Sequence, residues 1–288
     1  MFRSCCLNKS FNPGAATVAV PPPYRTKTMK FLHVSDLHIV AGNALLYGLN
    51  PQERLRACVA HINLHHADAE LAVITGDLAQ TGHPEAYTLV KSILSDLAMP
   101  YYLMVGNHDD RDNFKAAFPD ALLDPNGFVQ FTLDTKAGRF ICIDTLEPGK
   151  PHGTFCDLRR GWLKAQLEAP GDQPVYLFMH HPPFKVGLRR MDEIRLIDSE
   201  PFAELVVGRP NIKHLFFGHL HRPLSGSWRG IPFSNVLGTN HQVELSFTKA
   251  GLVPGSHEPP AYGVVFAEPD FTLVHLHNFL DQTATFNL

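Results

Sequence analysis

Residues 30–40 have the sequence KFLHVSDLHIV. The first part, residues 30–34, is a short apolar run of strand length, and Ser35-Asp36-Leu37-His38 follows it without a break. In open α/β sheets, ligands bind at the carboxyl ends of the strands. A buried strand that leads directly into a carboxylate and an imidazole therefore indicates a ligand-binding α/β fold.

The same pattern occurs four more times along the chain. The apolar runs at 71–75, 101–105, 174–179 and 212–217 each end in polar residues, which are Gly76-Asp77, Gly106-Asn107-His108-Asp109, His180-His181-Pro182-Pro183 and Gly218-His219-Leu220-His221. Five strand ends that meet at one edge would gather their polar side chains around one point. These side chains are Asp36, His38, Asp77, Asn107, His180, His219 and His221.

Helical and strand-like stretches complete the predicted fold. Residues 51–67 and 84–98 have helical apolar periodicity, and their alternation with the first three strands predicts parallel strands joined by crossover helices. In the second half we predict a hairpin at 128–144, helices at 157–169 and near 199–207, and late strands at 261–267 and 271–277. We therefore predict an α/β fold, a four-layer α/β/β/α sandwich of two mixed sheets flanked by helices.

The ligand types point to two metal ions. Two carboxylates, one amide oxygen and four imidazoles, without a thiolate, suit Mn, Fe, Co or Zn. Seven ligands are too many for one catalytic metal with an open position, but they suit two divalent metal ions that share a carboxylate and a bridging water. Gly76, Gly106 and Gly218 precede ligands, and we expect them to adopt φ values that only glycine tolerates.

Composition limits the class of protein and its partners. The formal net charge is −3, with 25 basic and 28 acidic residues, so we expect no duplex nucleic acid as a partner. No run of 18 apolar residues occurs, and we expect no membrane partner. Five cysteines without zinc-site spacing predict free thiols and a cytoplasmic location. The sequence leaves open whether the chain forms a homo-oligomer.

Residues 1–28 differ from the remainder. They contain no Asp or Glu and include Pro21-Pro22-Pro23. We interpret them as a disordered tail or an upstream start codon, with a basic targeting peptide as the alternative. The predicted domain is residues 29–288.

The five motifs, in this order, resemble those of the calcineurin-like metallophosphoesterase superfamily, and they span residues 36–221. The resemblance implies that His108 is a catalytic residue that faces the substrate. It also implies that one metal is held by Asp36, His38, Asp77 and His221, and the other by Asp77, Asn107, His180 and His219.

Departures from the family pattern narrow the expected function. Gln80 replaces the tyrosine of purple acid phosphatases, and residues 78–82 lack the arginine of Ser/Thr protein phosphatases. The chain also resembles the bacterial cyclic-nucleotide phosphodiesterases and glycerophosphodiesterases. The resemblance lies in Gly187, Met191-Asp192 and Trp228-x-Gly230-Ile231-Pro232. The expected reaction is hydrolysis of a small phosphodiester, a 3′,5′-cyclic nucleotide or a glycerophosphodiester, by a hydroxide that bridges the metals.

Three alternatives stay open at this point. Two belong to the same superfamily, namely a phosphomonoesterase and a nucleotide-sugar pyrophosphatase. The third is a non-catalytic scaffold, which the complete set of seven ligands and His108 argues against. Residues 184–201 form a long segment that we expect to overhang the metals.

The remaining histidines divide into two groups. We expect His181 to point away from the ligands, while His241 could line the substrate pocket. Those expected to lie outside the site, on or beside a helix or in a late strand, are His61, His65, His66, His275 and His277.

Overall fold

The strand that precedes Asp36 lies at the centre of a five-stranded sheet in the computed structural model of the chain. The structure describes residues 28–169, 171–248, 253–268, 270–284 and 286–287. The predicted tail, residues 1–28, lies outside the described residues except for Thr28.

The secondary structure comprises six helices and thirteen strands in the described part of the chain. In chain order they are β1 (Met29–Val34), α1 (Pro51–His65), β2 (Ala72–Ile74), α2 (Pro84–Leu94), β3 (Tyr101–Leu103), α3 (Arg111–Ala117), β4 (Phe131–Thr135), β5 (Gly138–Ile143), α4 (Asp157–Glu168), β6 (Val175–Met179), α5 (Arg189–Glu193), α6 (Ser199–Val206), β7 (Ile212–Phe217), β8 (Leu224–Trp228), β9 (Ile231–Asn235), β10 (Gln242–Val243), β11 (Gly255–Ser256), β12 (Ala261–Ala267) and β13 (Thr272–Asn278).

Two large sheets are both mixed. The first has the order β13-β12-β1-β2-β3, in which β1, β2 and β3 are parallel and β12 and β13 are antiparallel to their neighbours. The second has the order β4-β5-β6-β7-β9-β8, with four parallel strands in the middle and an antiparallel strand at each edge. The carboxyl ends of β1, β2 and β3 therefore lie at one edge of the first sheet. Those of β6 and β7 lie at one edge of the second sheet.

An aromatic core joins the two sheets. The ring of Phe31 on β1 lies 4.9 Å from that of Phe140 on β5, and the rings of Phe178 and Phe216 stack at 4.8 Å. All four side chains are buried, and each contributes roughly 1.5–3 kcal/mol through burial. Separate apolar clusters lie between α1, α2 and the first sheet, and between α4, α6 and the second. The mixed α/β fold with two mixed sheets is confirmed, and the exact four-layer order stays a prediction.

The predicted hairpin, late strands and the five strands that carry the motifs are confirmed. Helix α2 ends at Leu94 rather than at 98. The sequence analysis missed α3, α5 and β8 to β11. Strand β8 is largely exposed, so it lacks an apolar pattern, and β9 contains Pro232, which is tolerated near the edge of a sheet. Within the described residues, no helix has the length and apolarity to cross a membrane.

Candidate metal centre

The predicted ligands that follow β1, β2 and β7 have an unusual backbone conformation. Asp36, His38, Asp77, His219 and His221 have φ values of 56°, 49°, 50°, 71° and 48°. Non-glycine residues seldom adopt this left-handed conformation, and where they do it is often at a functional site. Both members of each pair spaced two apart, Asp36 with His38 and His219 with His221, share this conformation.

The first predicted ligand set is assembled. One ligand atom from each of its four buried residues lies within 4.8 Å of the other three, the residues being Asp36, His38, Asp77 and His221. The Nε2 atoms of His38 and His221 are 2.9 Å apart. Asp36 Oδ1 lies 3.4 Å from Nε2 of His221, and Asp77 Oδ2 lies 3.5 Å from Nε2 of His38. The set has the size and donor types of a metal site.

The second predicted set also contacts the Asp77 carboxylate. Nε2 of His180 is 3.3 Å from Asp77 Oδ2 and 3.2 Å from Asn107 Oδ1. The ring of His219 is centred 5.2 Å from that of His180. The same oxygen of Asp77 therefore lies near a histidine of each set, as a bridging ligand requires.

Hydrogen bonds orient three of these imidazoles. Nδ1 of His180 donates to the carbonyl of Thr75 at 2.7 Å, and Nδ1 of His221 donates to the carbonyl of His241 at 2.7 Å. Nδ1 of His38 donates to Oε1 of Gln80 at 2.7 Å. Each bond leaves Nε2 as the free ligand atom, which is the arrangement that metal-binding histidines adopt.

Unpaired buried atoms show that the residues fit metal ions. Among the described residues, Asp36 Oδ2 and Nε2 of His181 and His219 are buried without a hydrogen-bond partner. A buried polar atom without a partner is costly, and coordination would satisfy it. The donors are oxygen and imidazole nitrogen, which suit Mn, Fe, Co and Zn.

The protonation states of most of these ligands favour cation binding at the proposed metal centre. Burial opposes the charge on Asp77, but His180 and His108 hold the pKa of its carboxyl well below the usual range. Burial lowers the pKa of His38 and of His219 well below the usual range, so both rings are neutral, as ligands must be. His180 is the exception, because burial opposes its charge but the Asp77 carboxylate raises the pKa of His180 to about 9, so a metal ion would have to displace a proton from this ring.

The expectation for the glycines is correct for one of three. Gly76 has a φ of 100°, whereas Gly106 and Gly218 do not lie in the left-handed region. They are required for a different reason, namely space. A Cβ atom at Gly106 would collide with the carboxylate of Asp77, and one at Gly218 would collide with Oγ of Ser35.

His108 is half-buried beside the first ligand set. Its backbone N–H donates to Asp77 Oδ1 at 2.9 Å, and its ring is centred 4.8 Å from that of His38. Nδ1 donates to the carbonyl of Gln80 at 2.8 Å, which leaves Nε2 free. The following residue, Asp109, accepts bonds from the N–H groups of residues 78, 79 and 106, and so fixes the loop.

The expectation that His181 points away from the ligands is wrong. Its ring is buried and centred 4.7 Å from that of His219, while Nδ1 bonds to Thr145 Oγ1 at 2.8 Å. The pair His180-His181 lies beyond the end of β6, so its two side chains are not forced onto opposite faces. His181 can therefore support or join the second ligand set.

A cavity of about 470 Å³ lies beside the first ligand set. It is lined by Tyr47, His241, Gln242, Val243, Val253, Gly255, Ser256 and His257. The ring of His241 is centred 4.6 Å from that of His221 and 4.7 Å from that of Tyr47. His241 therefore lines a cavity, and its place in the substrate pocket stays a prediction.

Tyr47 was missed by the sequence analysis. It is exposed, has a φ of 53°, and its carbonyl accepts a 2.9 Å bond from Nε2 of His257. No motif surrounds it, so only the structure relates it to the site. The segment 184–201 buries Leu188, Met191 and Leu196 in the core beside the second sheet, and its expected position over the metals stays a prediction.

Known proteins resemble this chain in sequence and in fold. The model of the calcineurin-like phosphoesterase family matches residues 29–223. A probable cyclic nucleotide phosphodiesterase of Rhodopseudomonas palustris is 44% identical over 263 residues, covering 90% of this chain and 96% of that protein. A probable glycerophosphodiester phosphodiesterase of Arcobacter nitrofigilis is 32% identical over 81% of this chain and 86% of its own length. A crystal structure of a dimetal phosphatase from Danio rerio has a TM-score of 0.65 at 14% identity, covering 88% and 97% of the two chains, and supports the fold alone.

Proposed function

Because the chain belongs to the calcineurin-like phosphoesterase family and is a metal-dependent phosphoester hydrolase, we propose that it hydrolyses small phosphodiesters. The favoured substrates are 3′,5′-cyclic nucleotides, with glycerophosphodiesters as the second class. Two relatives support this choice, one named for cyclic nucleotides at 44% identity and one for glycerophosphodiesters at 32%.

The position of the Asp77 carboxylate is the observation that carries the proposal. Its Oδ2 atom lies 3.5 Å from Nε2 of His38 and 3.3 Å from Nε2 of His180. We assign one metal to Asp36, His38, Asp77 and His221, and the other to Asp77, Asn107, His180 and His219. When bound, the two cations supply an activated water for attack on phosphorus and positive charge near the phosphoryl oxygens.

His108 is the proposed proton donor to the leaving group. A carbonyl only accepts hydrogen bonds, so the contact with the Gln80 carbonyl places a proton on Nδ1 of His108. Nε2 is then an acceptor in the neutral ring and a donor in the doubly protonated ring. The doubly protonated form can transfer the Nε2 proton to the departing alkoxide.

The surroundings of the centre favour a diester. A monoester carries nearly two charges near neutral pH, whereas a diester carries one. Arg111, which follows the His108 motif, donates two 2.7 Å bonds to buried Asp144 and is therefore engaged in the fold. The cavity beside His241 offers the aromatic ring of Tyr47 and the apolar side chains of Val243 and Val253, which suit a nucleobase.

The proposed location is the cytoplasm, where cyclic nucleotides are present together with a reducing pool of thiols. Cys58 and Cys142 are buried free thiols, which supports a reducing compartment.

A comparison of kcat/KM values tests the proposal. Bis(p-nitrophenyl) phosphate and p-nitrophenyl phosphate share a leaving group, and cyclic AMP and glycerophosphoethanolamine represent the two diester classes. All four are measured with Mn²⁺ at one pH. We expect the diester to exceed the matched monoester, and cyclic AMP to exceed glycerophosphoethanolamine. A tenfold preference for the monoester, about 1.4 kcal/mol in the transition state, would instead favour a phosphomonoesterase.

A further inference from the structure

Four histidines outside the proposed ligand sets form a cluster where the end of α1 meets β13. Three lie at the end of α1, and the fourth lies on β13, more than 200 residues later, the four being His61, His65, His66 and His277. The ring of His61 is centred 4.3 Å from that of His65 and 4.5 Å from that of His277. The rings of His65 and His277 are 5.5 Å apart.

Hydrogen bonds hold two of these rings in the manner of metal ligands. Nδ1 of His61 bonds to the hydroxyl of Tyr262 at 2.9 Å. Nδ1 of His277 bonds to Nε2 of His66 at 2.8 Å. Each ring therefore uses one nitrogen for orientation and keeps Nε2 for a further ligand, as metal-bound histidines do.

His65 can complete the set. It lies four residues after His61, one turn along the same face of α1, and it is exposed. The three rings are adjacent, but their nitrogens do not converge as a ligand set in this structure. An exposed histidine can change rotamer at little cost, and such a change in His65 would turn a nitrogen toward the other two rings. Three imidazoles and a water give the four-coordinate arrangement found at His₃ zinc sites.

Burial and neighbouring histidines lower the pKa of His61 and of His277, which favours the neutral form that binds metals. Burial, followed by the proximity of His277 and His65, lowers the pKa of His61 to about 4. Burial and then His65 lower the pKa of His277. Burial and then Lys30 lower the pKa of His66, but Lys30 forms a 2.5 Å ion pair with Asp68, so its charge is partly balanced.

We propose that His61, His65 and His277 form a third metal site, separate from the dinuclear centre, for a borderline divalent cation such as Zn²⁺ or Ni²⁺. His66 and Tyr262 orient two of the ligands. An ion bound there joins the end of α1 to β13, which is an edge strand of the first sheet. Its role is to stabilise this edge, and it does not depend on the proposed substrate.

Zinc binding to the Mn²⁺-loaded protein tests this site. The unmodified protein, His65→Ala and His275→Ala are dialysed against increasing free Zn²⁺, and bound zinc per chain is measured by elemental analysis. His275 is the matched control because it is an exposed histidine on β13, the strand that carries His277. The ring of His275 lies against that of Phe266. Exchange of zinc into the dinuclear centre is common to all three proteins, so it cancels in the comparison.

We expect the unmodified protein and His275→Ala to bind one more zinc ion per chain than His65→Ala at the same free Zn²⁺. The dissociation constant of this ion should rise at least about tenfold in His65→Ala. Added Zn²⁺ should also raise the thermal midpoint of the first two proteins more than that of His65→Ala. Equal zinc content and equal midpoints in all three would overturn the proposal and leave the cluster as packing only.

Discussion

The side-chain oxygen of Gln80 accepts a 2.7 Å hydrogen bond from Nδ1 of His38. The carbonyl of Gln80 accepts a second bond, at 2.8 Å, from Nδ1 of His108. One residue therefore orients a proposed metal ligand and the proposed proton donor. The sequence analysis noted Gln80 only because purple acid phosphatases have a tyrosine at this position.

Gln80→Leu should weaken metal binding without unfolding the protein. The substitution removes the acceptor that orients His38, and the loss of such a bond typically costs about 10–100-fold in metal affinity. Competition with a chelator measures the affinity. Gln80→Glu keeps an acceptor oxygen and should retain most of the affinity. If Leu and Glu behave alike, the hydrogen bond does not orient the ligand.

Asp77 and His221 should differ in how many metal ions their loss removes. Asp77→Ala deletes the carboxylate that lies within 3.5 Å of a histidine in each set, so both ions should be lost or nearly so. His221→Ala should lose mainly one ion, since its contacts are with the first set. Elemental analysis after metal loading gives the stoichiometry. A value of one or below in the unmodified protein would contradict the dinuclear centre.

His108→Ala should lower turnover while the metal content is kept. Loss of a general acid typically costs about 10²–10⁴ in rate. The loss should be smaller for p-nitrophenyl esters than for alkyl esters, because a good leaving group needs no proton. Single-turnover rates on both ester types check this. An equal loss for both would assign His108 to charge stabilisation alone.

Much of the fold and of the site could be predicted because each proposed ligand directly follows an apolar strand. Asp36, Asp77 and His180 are examples, and their strands were placed correctly. Individual side-chain contacts between distant segments could not be predicted. The bond from His61 to Tyr262 joins residues 201 positions apart, and the space needed at Gly106 depends on where Asp77 and His180 lie after folding. Such contacts leave no periodic pattern in the sequence.

A chain that begins at Met29 should match the full chain in activity and thermal midpoint, since β1 begins at that residue. The bond from Thr28 to Glu268 would be lost, and Thr28→Ala in the full chain separates its effect. Scanning calorimetry gives the midpoint. A drop of more than about 5 °C, roughly 1 kcal/mol or more, would indicate that residues 1–28 pack on the domain.

Tyr47 should decide how well the protein selects cyclic nucleotides. Its ring borders the cavity beside His241, at a point where a nucleobase would lie if its phosphate is at the metals. Base stacking on an aromatic ring is typically worth about 1–3 kcal/mol, so Tyr47→Leu should lower kcat/KM for cyclic AMP about 5- to 150-fold. Tyr47→Phe keeps the ring and should remain close to the unmodified protein.

Glycerophosphoethanolamine is the control substrate for Tyr47, because it has no aromatic group. Its kcat/KM should change little in Tyr47→Leu, since the metal centre is intact and His257 still bonds to the backbone carbonyl of residue 47. A loss confined to cyclic AMP would assign the cavity to the base. If both substrates lose activity equally, Tyr47 supports the centre through His241, and recognition of the base must come from another part of the protein.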